Sequence, residues 1–434
     1  MTKIQSFDRT EEIEVQLLRP DRFRQLFTSL SNPNVIARGS GLNYCMASAI
    51  AGGRGVLSTQ FNRFLAFDSD KRVISVESGI TMGELLEFAV THNLMPPVLP
   101  GYPTITVGGA LAMNVHGKNQ YRAGNFGDHV KQLSIYHPRY GVLNCSPDFN
   151  SDLFHLTIGG FGLTGFILSA NIALEPRRGK SVLVERHKVL NLADATERME
   201  LMADRSDCLY SWHDFNLKGK TFGRGFIYQE SYSDNEFSPP SGRPISSNIK
   251  PLPWPFFNRF TVPPLCDCYA FWERLSPRYE TVSLFKASFP IVGKEVYFRL
   301  FGRKGLREYQ VLFTSGSWRG AMERIELAIK ESGVPITLAS LKLFRGKRSL
   351  LNFVGDGICL AIDTPNTRSS IALYSVLDDI AIQFGGISNI SKDSRLSAAI
   401  LKEMYEGYDD FSLALRAHDG EAHFQSELRR RIGV

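Results

Sequence analysis

The chain has 434 residues, which is more than one folded domain of roughly 100 to 200 residues usually holds. With 43% hydrophobic and 22% charged residues, its composition is that of a soluble globular protein. A formal net charge of +6 is too small for the dense basic surface of a nucleic-acid-binding protein, so we expect no nucleic-acid partner. This mildly basic balance favours an anionic ligand or an anionic membrane surface.

The six cysteines form no C-x-x-C pair, so we expect reduced thiols, no metal site and a reducing compartment. Residues 1–20 lack the apolar core of a signal peptide. No apolar stretch approaches the ~20 residues that cross a bilayer. We therefore expect a cytoplasmic or peripherally membrane-associated protein.

The first informative element is a short strand followed by a glycine-rich loop. Residues 35–37 are apolar, and residues 38–44 read RGSGLNY. Glycines let consecutive backbone N–H groups point at one anion, which is how many phosphate sites are built. A plain tight turn also explains such a loop when it is considered alone.

The next elements are a strand, a helix and a second glycine-rich stretch. Residues 72–78 alternate as a strand does, and Thr81 with Glu84 forms a capping box that predicts a helix start. Residues 101–117, GYPTITVGGALAMNVHG, are dominated by small side chains. This stretch is a second candidate for close backbone approach to a ligand.

A third glycine cluster formally matches the dinucleotide-binding pattern G-x-G-x-x-G, with Gly160, Gly162 and Gly165. That motif requires a helix directly after the glycines. Residues 166–175 instead alternate with period two, which predicts a strand. The sequence therefore argues against a Rossmann fold.

The composition changes near residues 177–180, where we place a domain boundary. Residues 233–265 carry eight prolines with embedded aromatic residues, which is typical of a long, mobile surface segment. Residues 309–313 predict a strand of an antiparallel sheet, and residues 319–331 predict an amphipathic helix. Residues 429–431, three arginines, are interpreted as a solvated helix end.

Four segments in this order resemble the FAD-binding domain of the vanillyl-alcohol-oxidase, or PCMH-type, superfamily: residues 38–44, 73–86, 100–119 and 159–176. Further segments are similar to the decaprenylphosphoryl-ribose oxidase family within it: residues 115–130 and 145–165 and, more loosely, 210–216, 307–313, 340–344 and 391–395. The resemblance thus extends over nearly the whole chain.

The resemblance implies an α+β fold with two lobes. Residues 1–177, completed by residues 388–434, would form the PCMH-type FAD-binding domain. Residues 178–387 would form a substrate domain, in which an antiparallel sheet flanked by helices covers the flavin. Active sites often lie between two such domains.

The resemblance also implies FAD as the cofactor and assigns residues to it. The cofactor-binding residues would be Arg38, Gly39, Ser40, Gly41, Leu42, Asn43, Tyr44, Thr106, Gly108, Gly109, Asn114, His116, Gly162, Gly165 and Ile167. The first loop, residues 38–44, would hold the diphosphate. Covalent members of the superfamily attach FAD through a histidine in this loop. Leu42 stands at that place, so non-covalent binding is expected.

Four side chains are expected at the reacting carbon by resemblance: Tyr44, His116, Gln310 and Lys392. Lys392 would stabilise the alkoxide or act as a base, if burial depresses its pKa. Other interpretations stay open from the residues alone. Lys392 can be a solvated surface group, His116 a hydrogen-bonded core residue, Gln310 an outward-facing strand residue and Tyr44 a packing residue.

The substrate would be held by five further side chains: Lys118, Trp212, Lys342, Cys359 and Asn389. Lys118 and Lys342 are the candidates for a substrate phosphate. The chain departs from the family here, with Cys359 in place of an asparagine, Ala361 in place of a cysteine and Asn389 in place of a tyrosine. These departures leave the exact sugar and lipid open. Covalent trapping of the family's cysteine should fail in this chain.

The implied function is oxidation of the ribose 2′-hydroxyl of a polyprenyl-phosphate-linked pentose to a ketone. This would be the first half of an epimerisation towards cell-envelope arabinose, completed by a partner short-chain reductase. One alternative is a soluble sugar, sugar alcohol or aldonolactone as substrate. Another is a catalytically idle flavin-binding scaffold, which the intact segments 115–119 and 391–395 disfavour.

Overall fold

The computed structural model describes residues 1–217, 219–235 and 250–434. These residues form helices and largely antiparallel sheets, so the expected α+β fold class is confirmed. Of the proline-rich segment 233–265, residues 236–249 lie outside the described residues. Helix α7 begins at Val262, so the loop expected through residue 265 is wrong for its last four positions. Prolines are tolerated in a first helical turn because its N–H groups have no partner within the helix.

The strands, in chain order, are β1 (Thr2–Gln5), β2 (Glu12–Leu18), β3 (Val35–Arg38), β4 (Arg54–Leu57), β5 (Phe64–Asp68), β6 (Val73–Glu77), β7 (Leu94–Met95), β8 (Val130–His137), β9 (Gly141–Cys145), β10 (Phe166–Ala173), β11 (Glu175–Pro176), β12 (Ser181–Val189), β13 (Cys208–His213), β14 (Gly225–Ser233), β15 (Tyr279–Ser283), β16 (Leu306–Phe313), β17 (Leu338–Phe344), β18 (Gly357–Pro365) and β19 (Ile387–Ser388).

The α-helices are α1 (Phe23–Leu30), α2 (Met82–Thr91), α3 (Val107–Ala112), α4 (Gln120–Ala123), α5 (Ser151–Thr157), α6 (Leu192–Met202), α7 (Val262–Leu275), α8 (Leu284–Ser288), α9 (Val296–Arg299), α10 (Ser315–Ser332), α11 (Arg368–Gln383), α12 (Ala398–Met404), α13 (Tyr408–His418) and α14 (Glu427–Ile432).

Two sheets are built from the first 173 residues. One has the strand order β1-β2-β4-β3 and the other β5-β6-β10-β8-β9. The C-terminal residues return to the first of these sheets, since Gln425 N–H donates to the Val35 carbonyl at 2.9 Å. The glycine-rich loop directly follows β3, so this sheet fixes where the loop begins.

Two antiparallel sheets follow, with the strand orders β13-β14-β12-β15 and β17-β18-β16-β19. Their edges meet where Leu341 N–H donates to Ser211 Oγ at 3.0 Å. Helices α10 and α11 pack on one face of the second sheet through buried side chains such as Trp318 and Leu377. The opposite face of that sheet is left for the site described below.

Several local predictions are confirmed. Thr81 and Glu84 form both hydrogen bonds of the capping box at the start of α2. Strand β10, rather than a helix, follows the glycines at 160–165.

The interpretation of residues 429–431 as a solvated helix end is wrong for Arg429. This residue of α14 is buried against Asp419, with Nη1 2.8 Å from the carboxylate.

Candidate active site

A cleft opens beside the loop after β3, with about 1000 Å³ of unfilled space that includes open solvent at its mouth. Most of the expected cofactor residues line it: Gly39, Ser40, Gly41, Leu42, Asn43, Tyr44, Thr106, Gly108, Gly109, Gly162, Gly165 and Ile167. Three glycine clusters that are far apart in the sequence therefore meet at one cleft.

The loop after β3 presents free hydrogen-bond donors to this cleft. Among the described residues, no acceptor takes the backbone N–H groups of Gly39, Ser40, Gly41 or Leu42. Gly41 has a φ of +71°, a left-handed conformation that glycine adopts without strain. Successive unpaired N–H groups around such a turn form a concavity that binds anions.

Arg38 adds a positive charge beneath the loop. Its Nη1 donates to Ser48 Oγ at 2.9 Å, and no carboxylate in the described part of the chain pairs with it. Burial lowers the pKa of Arg38, which is the cost of enclosing a guanidinium without a counterion. An enclosed cation beside free N–H groups fits the diphosphate of FAD.

At two glycine positions the walls of the cleft leave no room for a side chain. A Cβ atom at Gly39 would lie 2.2 Å from Thr106 Oγ1, and one at Gly108 would lie 2.9 Å from Ser78 Cβ. Ser78 lines the cleft, and its buried Oγ has no hydrogen-bond partner among the described residues. A bound polar ligand would supply that partner, so the residues present fit the expected cofactor.

Asn114 was expected to line the cofactor, but the structure places it behind the cleft wall. Its Nδ2 donates to Asn352 Oδ1 at 2.8 Å, and its Oδ1 accepts from Gly127 N–H at 3.0 Å. With both ends of the amide engaged, Asn114 holds the chain around α3 in place rather than facing a ligand. This is a correction to the expected contact.

The register of β17, β18 and β16 gathers polar side chains on one sheet face. Lys342 is paired with Cys359, and Asp363 is paired with Glu308. Residues directly opposite each other in a sheet project from the same face. The face away from α10 and α11, here called the polar sheet face, therefore carries Glu308, Gln310, Ser340, Lys342, Cys359, Ala361 and Asp363.

A hydrogen-bond chain joins this face to His116. Asn389 Oδ1 accepts from Ser391 N–H, which leaves Asn389 Nδ2 to donate to Gln310 Oε1 at 2.6 Å. Gln310 Nε2 must then donate towards His116 Nε2, which lies 3.4 Å away. The Nδ1 atom of the neutral ring consequently carries the proton.

His116 is held as a neutral imidazole. Its ring lies 4.9 Å from that of Phe344, centroid to centroid. Burial, together with the charges of Lys342 and Lys392, lowers the pKa of His116 well below 6.5. At neutral pH the ring therefore acts as a hydrogen-bonding group and not as a cation.

Lys392 lies between the cleft and the polar sheet face. Its Nζ is 3.1 Å from Glu308 Oε2 and 4.3 Å from the centroid of the Tyr44 ring. The lysine itself lines the cleft. Burial raises the pKa of Tyr44 well above 10, and the charges of Glu308 and Asp363 add to the effect, so the phenol stays protonated.

Glu308 and Asp363 form a carboxyl pair that the sequence analysis missed. Asp363 is buried, and its Oδ2 accepts from the Tyr297 hydroxyl at 2.8 Å. Burial, together with the charge of Glu308, raises the pKa of Asp363 to about 8. The signal was present in the sequence, because Glu308 lies two residues before Gln310 on a strand and so shares its face.

Lys342 is a cation on the polar sheet face. It forms no hydrogen bond and no ion pair with any described residue. Burial lowers the pKa of Lys342. Beside it, Cys359 is 1% exposed, and burial raises the pKa of its thiol to about 12. The structure thus brings together a free amine and an inert thiol.

Lys118 and Trp212 were expected to bind substrate, and the structure pairs both with other residues. Lys118 Nζ lies 2.6 and 2.7 Å from the two carboxylate oxygens of Glu230 and donates to the Ala287 carbonyl at 2.6 Å. All three of its donors are used, so no free charge remains for a phosphate. Trp212 packs on Tyr269 with ring centroids 4.6 Å apart and does not line the cleft.

Comparison with known proteins agrees with this geometry. Residues 29–146 match the family model of an FAD binding domain. Decaprenylphosphoryl-beta-D-ribose oxidase of Mycolicibacterium smegmatis is 29% identical over 415 residues, covering 92% of this chain and 89% of that protein. An uncharacterised protein of Streptomyces coelicolor is 27% identical, covering 82% of this chain and all of the other. Cytokinin dehydrogenase 9 of rice is 32% identical over 40% of this chain and 33% of its own length.

The matched domain contains the loop at 38–44 and the stretch at 101–117, two of the three glycine clusters that line the cleft. The similarity to the ribose oxidase continues through the strands of the polar sheet face, since it covers 92% of the chain. The expected FAD-binding domain and cofactor are confirmed. The chain is an FAD-dependent oxidoreductase with a PCMH-type FAD-binding domain.

Proposed function

We propose that the chain oxidises the 2′-hydroxyl of a polyprenyl-phosphate-linked ribose to a ketone. The observation that carries the proposal is the position of Lys392, which lines the cofactor cleft and is ion-paired to the polar sheet face. Similarity to decaprenylphosphoryl-beta-D-ribose oxidase over 92% of the chain supports this substrate class. At Lys392, a substrate hydroxyl can lie between the cofactor in the cleft and the side chains of the polar sheet face.

The cofactor is proposed to lie along the cleft with its diphosphate on Arg38 and the N–H groups of residues 39–42. The second glycine cluster would contact the ribityl chain, and Gly162, Gly165 and Ile167 the adenine side. FAD supplies the hydride acceptor when bound. No histidine or cysteine occurs among the described residues that line the cleft, which supports non-covalent binding.

Alcohol oxidation also requires that the hydroxyl lose its proton. In the proposed arrangement Lys392 donates a hydrogen bond to the substrate oxygen as negative charge develops there. Glu308, ion-paired to Lys392 at 3.1 Å, accepts the proton. Gln310 and His116 orient the sugar through their linked hydrogen bonds.

Lys342 is proposed to meet the phosphate or a sugar oxygen of the substrate. It is the cation that the polar sheet face leaves free, whereas the ion pair with Glu230 occupies Lys118. An unpaired ammonium is a strong donor to an anionic oxygen. This assigns to one lysine a role that the sequence had divided between two.

A second candidate is oxidation of a soluble sugar, sugar alcohol or aldonolactone. The observation that favours it is the chemistry of the pocket itself, where Cys359 and Asn389 replace residues of the ribose oxidase family. Asn389 is committed to Gln310 at 2.6 Å, and Cys359 is a buried thiol. A smaller or differently substituted sugar ring would suit these changes.

A partner enzyme follows from the chemistry of the leading proposal. A 2′-ketone must be reduced from the opposite face to complete an epimerisation, which requires a separate hydride donor. A short-chain dehydrogenase/reductase is the proposed partner. Peripheral contact with the membrane that carries a polyprenyl substrate is proposed as well.

The test is anaerobic reduction of the bound flavin by candidate substrates, followed through the flavin's visible absorbance. A polyprenyl-phosphoryl ribose should bleach the flavin, while free ribose, alditols and aldonolactones should not. Bleaching by the soluble sugars at comparable rates would replace the leading proposal with the second candidate. Failure of every alcohol to bleach it would leave the scaffold alternative.

A further inference from the structure

Helix α7 is apolar on two faces, one of which packs on no residue that the structure describes. Val262, Cys266 and Ala270 are buried against the protein. On another side of the helix, Leu265, Phe271, Trp272 and Leu275 are 39%, 61%, 70% and 68% exposed. At about 100° per residue these four side chains fall within an arc of roughly 120°. A helix on a water-facing surface normally presents polar residues there.

The loop that leads into α7 extends this apolar stripe. Trp254, Phe256 and Phe260 are 78%, 44% and 72% exposed. Together with the four exposed residues of α7, they are here called the aromatic surface. Single exposed apolar side chains are common, but several on one helix face and on the loop that leads into it indicate an interaction site.

The backbone holds these aromatic rings outward. Phe256 N–H donates to the Leu300 carbonyl at 2.8 Å, and Asn258 Oδ1 accepts from Phe260 N–H at 2.9 Å. Between them, Phe257 is buried with its ring centroid 4.8 Å from that of Phe301. The loop is therefore anchored from beneath while its other rings face solvent.

Unpaired cations lie on the loop that carries the exposed aromatic rings and in and just after α9, to which the loop is hydrogen-bonded. Lys250, Arg259, Arg299 and Arg303 are exposed and form no salt bridge with any residue that the structure describes. The acids of α7 are already neutralised, Asp267 by Arg224 and Glu273 by Arg186 at 3.1 Å. The free charge around the aromatic rings is thus positive.

The aromatic surface is also connected to the active site. Leu252 N–H donates to the Arg299 carbonyl at 3.1 Å, which ties the loop to α9. Tyr297 of the same helix donates its hydroxyl to Asp363 on the polar sheet face at 2.8 Å. One short helix thus joins the two surfaces.

We propose that the aromatic surface binds an anionic lipid bilayer peripherally. Tryptophan and phenylalanine favour the boundary between headgroups and acyl chains, and unpaired lysine and arginine attract anionic headgroups. None of the helices in the described ranges is long and apolar enough to cross a membrane, so the contact is with one leaflet. This deepens the peripheral membrane contact proposed above by naming the surface and the lipid charge. Presentation of a lipid-borne substrate at this surface rests on the proposed oxidation, whereas bilayer binding does not.

A second copy of the chain fits this surface less well. In a two-fold symmetric dimer the same patch meets itself, so the four cations would face the same four cations. Juxtaposed like charges disfavour an interface. An anionic bilayer instead complements both the apolar and the cationic parts.

The test is co-sedimentation of the FAD-loaded full chain with phosphatidylcholine vesicles that contain or lack phosphatidylglycerol. Binding should require the anionic lipid. The double variant Trp272→Ser/Leu275→Ser should bind about tenfold or more weakly, because it lacks the two apolar side chains whose transfer from water into the bilayer favours binding. The matched control is Leu201→Ser/Leu413→Ser, whose leucines are 68% and 64% exposed on α6 and α13. That control should bind like the wild type.

Equal binding of both double variants, or no preference for anionic vesicles, would overturn the proposal. A concentration-dependent dimer in sedimentation velocity that Trp272→Ser/Leu275→Ser abolishes would assign the surface to a second copy instead. Turnover of a water-soluble phosphoribosyl substrate separates this proposal from the proposed function. The Trp272→Ser/Leu275→Ser variant should retain that turnover while losing vesicle binding. Vesicle binding without any ribose oxidation would sink the function alone.

Discussion

Lys392 is the residue at which the cofactor cleft and the polar sheet face meet. We expect Lys392→Met to slow flavin reduction by about 100-fold or more, the usual effect of removing one donor to a developing alkoxide. FAD content should stay unchanged, because the groups proposed to hold the diphosphate are Arg38 and the N–H groups of residues 39–42, and Lys392 is not one of them. Stopped-flow absorbance under anaerobic conditions measures the rate, with Lys304→Met, an exposed lysine, as control. Reduction at the wild-type rate would remove Lys392 from the mechanism.

Asp363 gives the protein a distinct pH dependence of stability. Its folded-state pKa of about 8 lies above the ordinary value of 3.8. A raised pKa means that its contribution to stability is complete below the ordinary value and is lost as pH rises through the folded-state value. Between pH 4 and 8 the free energy of unfolding of the wild type should therefore fall relative to Asp363→Asn, with a slope of at most ~1.4 kcal/mol per pH unit.

Chemical denaturation at several pH values measures this difference. Glu308→Gln is the informative companion, because it removes the negative charge that raises the pKa of Asp363. In the Glu308→Gln background, the stability difference should stop changing at a lower pH than in the wild-type background, because the pKa of Asp363 is less raised. Parallel stability curves for the wild type and Asp363→Asn would show that Asp363 ionises normally.

Cysteine reactivity tests the burial of the polar sheet face. Burial raises the pKa of Cys359 to about 12, whereas Cys268 is exposed. Because the thiolate is the reactive form, iodoacetamide at pH 7 should label Cys268 first and leave Cys359 unmodified. Peptide mass spectrometry locates the label, and Cys268→Ser should remove the fast phase. Early modification of Cys359 would mean that this face is open to solvent.

The active-site side chains could be predicted from the sequence, but their hydrogen-bond and ion-pair partners could not. Lys392 and Gln310 were identified by resemblance, and the structure places them at the cleft and on the polar sheet face. That Lys118 is occupied could not be foreseen, because Glu230 lies 112 positions along the chain. Ion pairs of this kind depend on tertiary contacts, which no local pattern encodes.

At the scale of elements, the glycine clusters define the cleft through close packing. Gly39→Ala would place a Cβ 2.2 Å from Thr106 Oγ1, so the loop after β3 must shift away from α3. We expect FAD affinity to fall by roughly ten- to hundredfold. Titration of apoprotein with FAD measures it. Gly316→Ala is the control, because a Cβ there meets no atom within 4 Å.

Helices and strands could be predicted from the sequence where short-range patterns determine them. The capping box at Thr81 and the period-two pattern of residues 166–175 were sufficient to place α2 and β10. Strand register was not predictable, and so neither was the gathering of Glu308 and Asp363, because their pairing joins strands 55 positions apart. The burial of Arg429 was not predicted either, because it depends on tertiary packing around its ion pair with Asp419.

At the scale of the whole molecule, glycine clusters from three parts of the first 170 residues line one cleft, and sheet strands from beyond residue 300 supply the polar face opposite. The division at residues 177 and 388 remains a prediction. The C-terminal return to β3 is consistent with the assignment of residues 388–434 to the FAD-binding domain. The aromatic residues within segment 233–265 were visible in the sequence as a candidate membrane contact, but the part of the aromatic surface on α7 was not, because the exposure of α7 depends on the whole fold.

The central claim is that a ribose 2′-carbon delivers its hydrogen within this cleft. Anaerobic stopped-flow reduction by polyprenyl-phosphoryl ribose deuterated at carbon 2 of the sugar tests it most directly. We predict slower flavin reduction than with the protiated lipid, and no such difference when only carbon 3 is deuterated. Equal rates for the carbon-2 pair, with slowing on deuteration at another carbon or none at all, would contradict the account.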